Sequence, residues 1–158
     1  MTMSASLPQE ELRDLYRELI LDHARAPRHF GRLENTSHTA EGINPLCGDK
    51  LKLYLQIDSD RTITDVRFEG SGCAISVASA SLLAETVTGL SCDAALQYVD
   101  NVRALLLGEE AQAVGVDLGK LKALAGVRDF PSRVKCATLA WHALDAAINS
   151  DTGLVSTE

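Results

Sequence analysis

The stretch Asn44-Pro45-Leu46-Cys47-Gly48-Asp49 puts a thiol and a carboxylate two residues apart. Proline fixes φ and pushes the residue before it out of the α region, so Asn44-Pro45 predicts a turn. Gly48 has no Cβ and lets the backbone take a tight or left-handed conformation. That would let Cys47 and Asp49 point to one side and share an ion. A thiolate with a carboxylate suits a borderline metal such as Zn²⁺.

Two ligands do not make a site, and further thiols stand in similar settings. Cys73 follows Gly70-Ser71-Gly72 at the start of a predicted helix. Free backbone N–H groups and the positive end of the helix dipole favour the thiolate there. Cys136 falls in the first turns of the last predicted helix, near Arg133 and Lys135, whose charges act in the same direction. The spacings, 26 residues from Cys47 to Cys73 and 63 more to Cys136, match no short CxxC finger. The case for a metal therefore rests on local context. A cysteine is also a common small buried hydrophobe, and Cys92, at a third helix start, reads that way. His23, His29 and His38 read as capping or surface groups, and His142 as packing or surface. Ser76, Ser79 and Ser81 have neither a Gly-x-Ser-x-Gly elbow nor a paired histidine, so they predict close helix packing rather than a nucleophile.

The elements that position these groups follow from periodicity. Leu12, Leu15, Tyr16, Leu19 and Ile20 recur at helical spacing and predict a helix over 8–25. Leu51, Leu53, Leu55 and Ile57 alternate with Lys52, Tyr54 and Gln56, the pattern of a half-buried strand. Asp58-Ser59-Asp60-Arg61 makes a turn into a second strand through Ile63, Val66 and Phe68, and the short connection predicts an antiparallel hairpin. Residues 40–43 add a third strand. Helices follow over 75–88, closed by Gly89, and from the N-cap Ser91 to Leu107, closed by Gly108. Residues 109–130 read as an insertion with a short helix at 118–124. A last helix starts at Pro131-Ser132 and carries Val134, Ala137, Trp141, Leu144 and Ile148 on one face. The expected class is α+β: a small antiparallel sheet of about three strands packed against several helices. A single domain spans 1–158, with 1–7 and 150–158 expected to be disordered.

Composition narrows the function. A net charge of −7 argues against non-specific nucleic-acid binding, which needs a basic footprint. Aromatic residues are only 4%, so the core must be mostly aliphatic. No apolar run approaches the roughly 20 residues that span a bilayer. Met1 to Ser6 shows no secretory signal, so a cytoplasmic location is expected. In a reducing compartment four cysteines favour metal binding or catalysis, although spacing leaves disulfides open.

Three motifs together, Asn-Pro-x-Cys-Gly-Asp at 44–49, Gly-Ser-Gly-Cys-Ala-Ile-Ser at 70–76 and Arg-Val-Lys-Cys-Ala-Thr-Leu-Ala-Trp at 133–141, resemble the U-type iron–sulfur cluster assembly proteins. Asp22-His23, Pro27-Arg28 and Gly31 are similar to that family's N-terminal segment. The resemblance covers about residues 12–149 and is closest to the SufU type. Lys135 stands where the IscU scaffold type carries a histidine, and Phe130-Pro131-Ser132-Arg133-Val134-Lys135 replaces its Leu-Pro-Pro-Val-Lys segment.

This resemblance implies a zinc-dependent sulfurtransferase that accepts persulfide sulfur from a SufS-type cysteine desulfurase. Downstream partners would be iron–sulfur acceptor proteins or a later scaffold, with no nucleic acid and no membrane. It implies Cys47, Asp49, Cys73 and Cys136 as zinc ligands and Cys47 as sulfur acceptor. Arg133 and Lys135 would attract the anionic persulfide or simply be solvated charges. The alternative is a scaffold that assembles a nascent [2Fe–2S] cluster on the same cysteines. A third reading is a domain whose zinc is only structural. No His-x-Glu with Pro-Cys-x-x-Cys is present to suggest a zinc deaminase.

Overall fold

The computed structural model describes residues 9–45, 48–108, 118–150 and 154–156. Helix α1 (Gln9–Arg25) leads into strand β1 (His38–Asn44), then β2 (Asp49–Ile57) and β3 (Ile63–Ser71). Helices α2 (Ala74–Val87) and α3 (Cys92–Leu107), a 3₁₀ segment (Gly119–Val127), helix α4 (Pro131–Ser150) and strand β4 (Leu154–Ser156) complete the order. The class is α+β, as the sequence predicts.

The sheet order is β3-β2-β1-β4. β2 pairs antiparallel with both β1 and β3, and Leu53 lies opposite Ala40 on one side and Phe68 on the other. Leu51, Leu53, Leu55 and Ile57 all turn into the core, as their alternation requires. α2 and α4 cover that face. Leu53 and Leu55 are fully buried, and truncating either to Ala costs about 2–5 kcal/mol. Tyr54, on the opposite face, is buried as well. Its Oη donates to Glu69, and Lys52 lies over its ring. That face is therefore not simply solvated.

α2 is almost entirely buried because it is sandwiched between α1 and α4. Its alanines and serines permit the close approach, and the serines also bond. Ser79 Oγ donates to the Ala137 carbonyl at 2.6 Å and accepts from Trp141 Nε1 at 3.0 Å. Trp141 is fully buried at the centre of α4. α3 begins and ends as its cap residues predict: Ser91 Oγ accepts from Ala94 N, and Gly108 takes the left-handed conformation.

Four features differ from expectation. The tail was expected to fray, yet Leu154–Ser156 pairs parallel to Glu41–Ile43. β1 would otherwise present an open edge of unpaired backbone groups, and β4 covers it. The short helix expected at 118–124 is a 3₁₀ run that continues to Val127, with Leu121, Ala123, Leu124 and Val127 buried. Leu15, expected in the apolar stripe of α1, is exposed, while Tyr16, Leu19 and Ile20 pack inward. His23, expected at a surface or cap, has no solvent exposure. Residues 1–7 and 109–117 lie outside the described residues.

Candidate metal centre

The centre is assembled where one turn and two helix starts meet. Asn44 ends β1 and Asp49 begins β2, and the two are directly paired in the ladder. The turn between them closes by a 2.8 Å bond from Gly48 N to the Asn44 carbonyl, with Gly48 at φ 72. Only a residue without Cβ takes that conformation at no steric cost. Asp49, a carboxylate only 1% exposed, is thereby fixed at the start of β2.

β3 runs back beside β2 and delivers Cys73. Gly72 makes the approach possible: a Cβ there would lie 2.3 Å from Asp49 Oδ1. With glycine in place, Cys73 N donates to Asp49 Oδ1 at 2.8 Å. Cys73 is the N-cap of α2, so its sulfur stands at the positive end of that helix. It lies 4.0 Å from Asp49 Oδ2. Cys136, in the second turn of α4, is buried from the other side, and its sulfur accepts from Asn44 Nδ2 at 3.4 Å. Asn44 Nδ2 also donates to Asp49 Oδ2 at 3.3 Å.

The structure thus brings Asp49, Cys73 and Cys136 together, with one ligand atom from each within 4.8 Å of the others. Tetrahedral zinc with bonds near 2.0–2.3 Å sets its ligands about 3.3–3.8 Å apart, so a modest contraction closes the three around one ion. A further observation fits a cation. Asp49 is buried yet forms no ion pair among the described residues; its partners are the Cys73 and Asn44 N–H donors and, at 4.0 Å, the Cys73 sulfur, none of them a cation. A buried charge without a counter-charge is costly, and a divalent ion supplies one. Cys47 lies outside the described residues, two positions before Asp49 in the chain.

The other candidates do not join the centre. Cys92 is buried at the start of α3, its N–H bonded to the Arg61 carbonyl, and burial pushes its thiol up. His29 Nδ1 lies 3.1 Å from the Val66 carbonyl, and His38 Nδ1 lies 2.8 Å from Ser37 Oγ. His142 Nδ1 meets Arg103, which also pairs with Asp145. Arg133 stacks over the half-exposed Phe130 ring at 4.7 Å, at the mouth of α4. The sequence treats Asn44 only as a turn former, so its bonds to two of the candidate ligands are a feature that spacing did not reveal.

Residues 15–137 match the NifU-like N terminal domain family. The chain belongs to that family. Among the relatives of this NifU-like domain is the zinc-dependent sulfurtransferase SufU of Bacillus subtilis, 40% identical over 88% of this chain and 92% of the relative. The iron–sulfur cluster assembly scaffold protein IscU of Streptococcus pyogenes is 41% identical over 87% and 85%. The crystal structure of an iron–sulfur cluster assembly scaffold protein for the SUF system from Fervidobacterium islandicum superposes with a TM-score of 0.76 at 36% identity, covering 84% of this chain and 95% of that one. Among the described residues, no helix of this NifU-like domain is long and apolar enough to cross a membrane.

Proposed function

We propose that this NifU-like domain acts in iron–sulfur cluster assembly as a zinc-dependent sulfur acceptor for a SufS-type cysteine desulfurase. The carrying observation is that Asp49, Cys73 and Cys136 bring one ligand atom each within 4.8 Å of the others, with the buried Asp49 carboxylate lacking a counter-charge among the described residues. Cys47 is the fourth ligand and the residue that takes the sulfur. Zn²⁺ holds its thiolates ionised and brings no redox chemistry of its own.

The chain's own residues divide the work. Cys47 directly precedes Gly48 in the chain, whereas Cys73 caps α2 and Cys136 lies within α4. In this proposal Cys47 is the ligand that leaves the ion. Its thiolate attacks the outer sulfur of the desulfurase persulfide. A sulfur–sulfur bond forms at Cys47, the bond in the desulfurase breaks, and the desulfurase cysteine leaves as a thiolate with the electron pair. No external oxidant or reductant is required. Asp49, Cys73 and Cys136 hold their positions meanwhile. The sulfur then passes to an iron–sulfur acceptor protein or a later scaffold, and the work is cytoplasmic.

The second reading, assembly of a [2Fe–2S] cluster on the same cysteines, draws on the similarity to proteins named as scaffolds. Lys135 directly before Cys136 favours the first, since an ammonium is no iron ligand at neutral pH. Sulfide release by a SufS-type desulfurase under limiting reductant, with and without the zinc-loaded chain, tests the proposal. A large rise that disappears in a folded, zinc-containing Cys47→Ala protein supports transfer through Cys47. No rise with the wild-type chain sinks it and moves the weight to anaerobic iron and sulfide loading.

A further inference from the structure

We infer that Asn44 is a positioning residue of the metal centre, holding the Asp49 carboxylate and the Cys136 sulfur toward one ion. The inference rests on the zinc reading above. Asn44 has no solvent exposure. Its side-chain Nδ2 lies 3.3 Å from Asp49 Oδ2 and 3.4 Å from Cys136 Sγ. An amide NH₂ has two protons, so both acceptors are served at once. The reverse amide orientation would set Oδ1 against the Asp49 carboxylate, two acceptors facing each other.

A turn-forming role alone does not account for these contacts. Asparagine usually serves a turn through its side-chain oxygen, which accepts from the backbone two residues on. Here the turn closes through the main chain instead, from Gly48 N to the Asn44 carbonyl. Among the described residues, Asn44 Oδ1 is buried without a hydrogen-bond partner. Burying an unsatisfied amide oxygen is unfavourable, so the side chain is held where its NH₂ faces the ligands at a cost to its oxygen. The placement is also economical in the chain: Asn44 is paired with Asp49 across the ladder, and Cys136 comes from a helix 92 positions later. A single side chain thus ties the β1–β2 end of the sheet to α4 at the centre. Groups that orient metal ligands in this way typically change metal affinity about 10- to 100-fold.

Two variants separate this role from turn formation. Asn44→Ser keeps a short side-chain oxygen that serves a turn but cannot span Asp49 and Cys136. Asn44→Ala removes both functions. Zinc retention is measured by competition with a chromophoric chelator, and ligand geometry by the absorption spectrum of the Co²⁺-substituted protein. The expected result for Asn44→Ser is a folded protein, about 10- to 100-fold weaker in zinc affinity, with altered Co²⁺ absorption bands. Wild-type affinity and an unchanged Co²⁺ spectrum would overturn the inference. So would unfolding of the metal-free Asn44→Ser protein, which would assign Asn44 to the turn. Failure of the wild-type chain to hold zinc at all would instead remove the underlying reading, and this inference with it.

Discussion

His23 Nδ1 lies 2.7 Å from Ser81 Oγ, in a place with no solvent exposure for either residue, and joins the end of α1 to the middle of α2. Ser81 Oγ also accepts the Arg28 backbone N–H at 2.8 Å. When the serine hydroxyl donates its proton to Nδ1, the histidine carries its own proton on Nε2, 3.7 Å from Glu85 Oε1. That arrangement requires a neutral ring. Burial and then the Arg28 charge push the His23 pKa below its ordinary 6.5, against the opposing pull of Glu85.

The consequence is a stability that falls in mild acid. Above pH 6.5 both folded and unfolded chains hold His23 neutral, and this contribution is fully present. As pH drops through 6.5 the unfolded chain takes up a proton that the folded chain refuses, so stability declines until the folded pKa is reached. The slope for one such group is at most about 1.4 kcal/mol per pH unit. His142, also lowered by burial and by Arg103, adds a loss of the same sign. Urea unfolding at pH 7.5 and 5.5 should show the decline. It should be shallower in His23→Gln, and an unchanged slope would show that His23 is not its source.

Two glycines near the centre make distinct predictions. A Cβ at Gly72 meets the Asp49 side chain at 2.3 Å, whereas one at Gly70 meets the Lys50 carbonyl at 2.1 Å. Gly72→Ala should displace Asp49 and lower zinc content, with a stability loss of about 1–3 kcal/mol. Gly70→Ala, at φ 153 and against backbone, should instead weaken β2–β3 pairing and unfold the chain more readily. Zinc stoichiometry alongside thermal unfolding tells the two apart. Equal zinc loss per unit of stability lost in both would refute the distinction.

Cys92 should behave as a core residue. With its thiol pushed up by burial, alkylation of the native protein at pH 8 should leave Cys92 unlabelled while it labels fully in denaturant. Cys92→Ala should keep wild-type zinc stoichiometry, while Cys73→Ser or Cys136→Ser reduces it. Zinc loss in the Cys92 variant at unchanged fold would place Cys92 in the centre after all.

Much of this was legible in the sequence for identifiable reasons. The alternation of Leu51, Leu53, Leu55 and Ile57 has one burial solution, and the structure adopts it. Ser91 and Gly108 announce the ends of α3 because their side-chain chemistry acts locally. The candidate ligands stood out because each sits beside a glycine or at a helix start. What stayed hidden depends on partners distant in the chain. His23 finds Ser81 58 residues away, and Ser79 finds Trp141 62 residues away, so neither serine shows its hydrogen bonds in its neighbourhood. Asn44 looked like a turn residue because Asn-Pro is a turn signal, and nothing local points to Cys136. The strand at 154–156 was missed because three residues carry too little periodicity to register.

That strand has a practical corollary. Ser156 pairs with Ile43, the residue immediately before Asn44. Residues 154–156 are therefore leashed to the same strand that ends at Asn44, beside the candidate metal ligands. A fluorophore or affinity tag appended there is no neutral handle: it loads the ribbon whose tip the proposed sulfur acceptor adjoins. A bulky fusion there would strain the pairing that covers β1 and, through Ile43, the placement of Asn44 beside the candidate ligands.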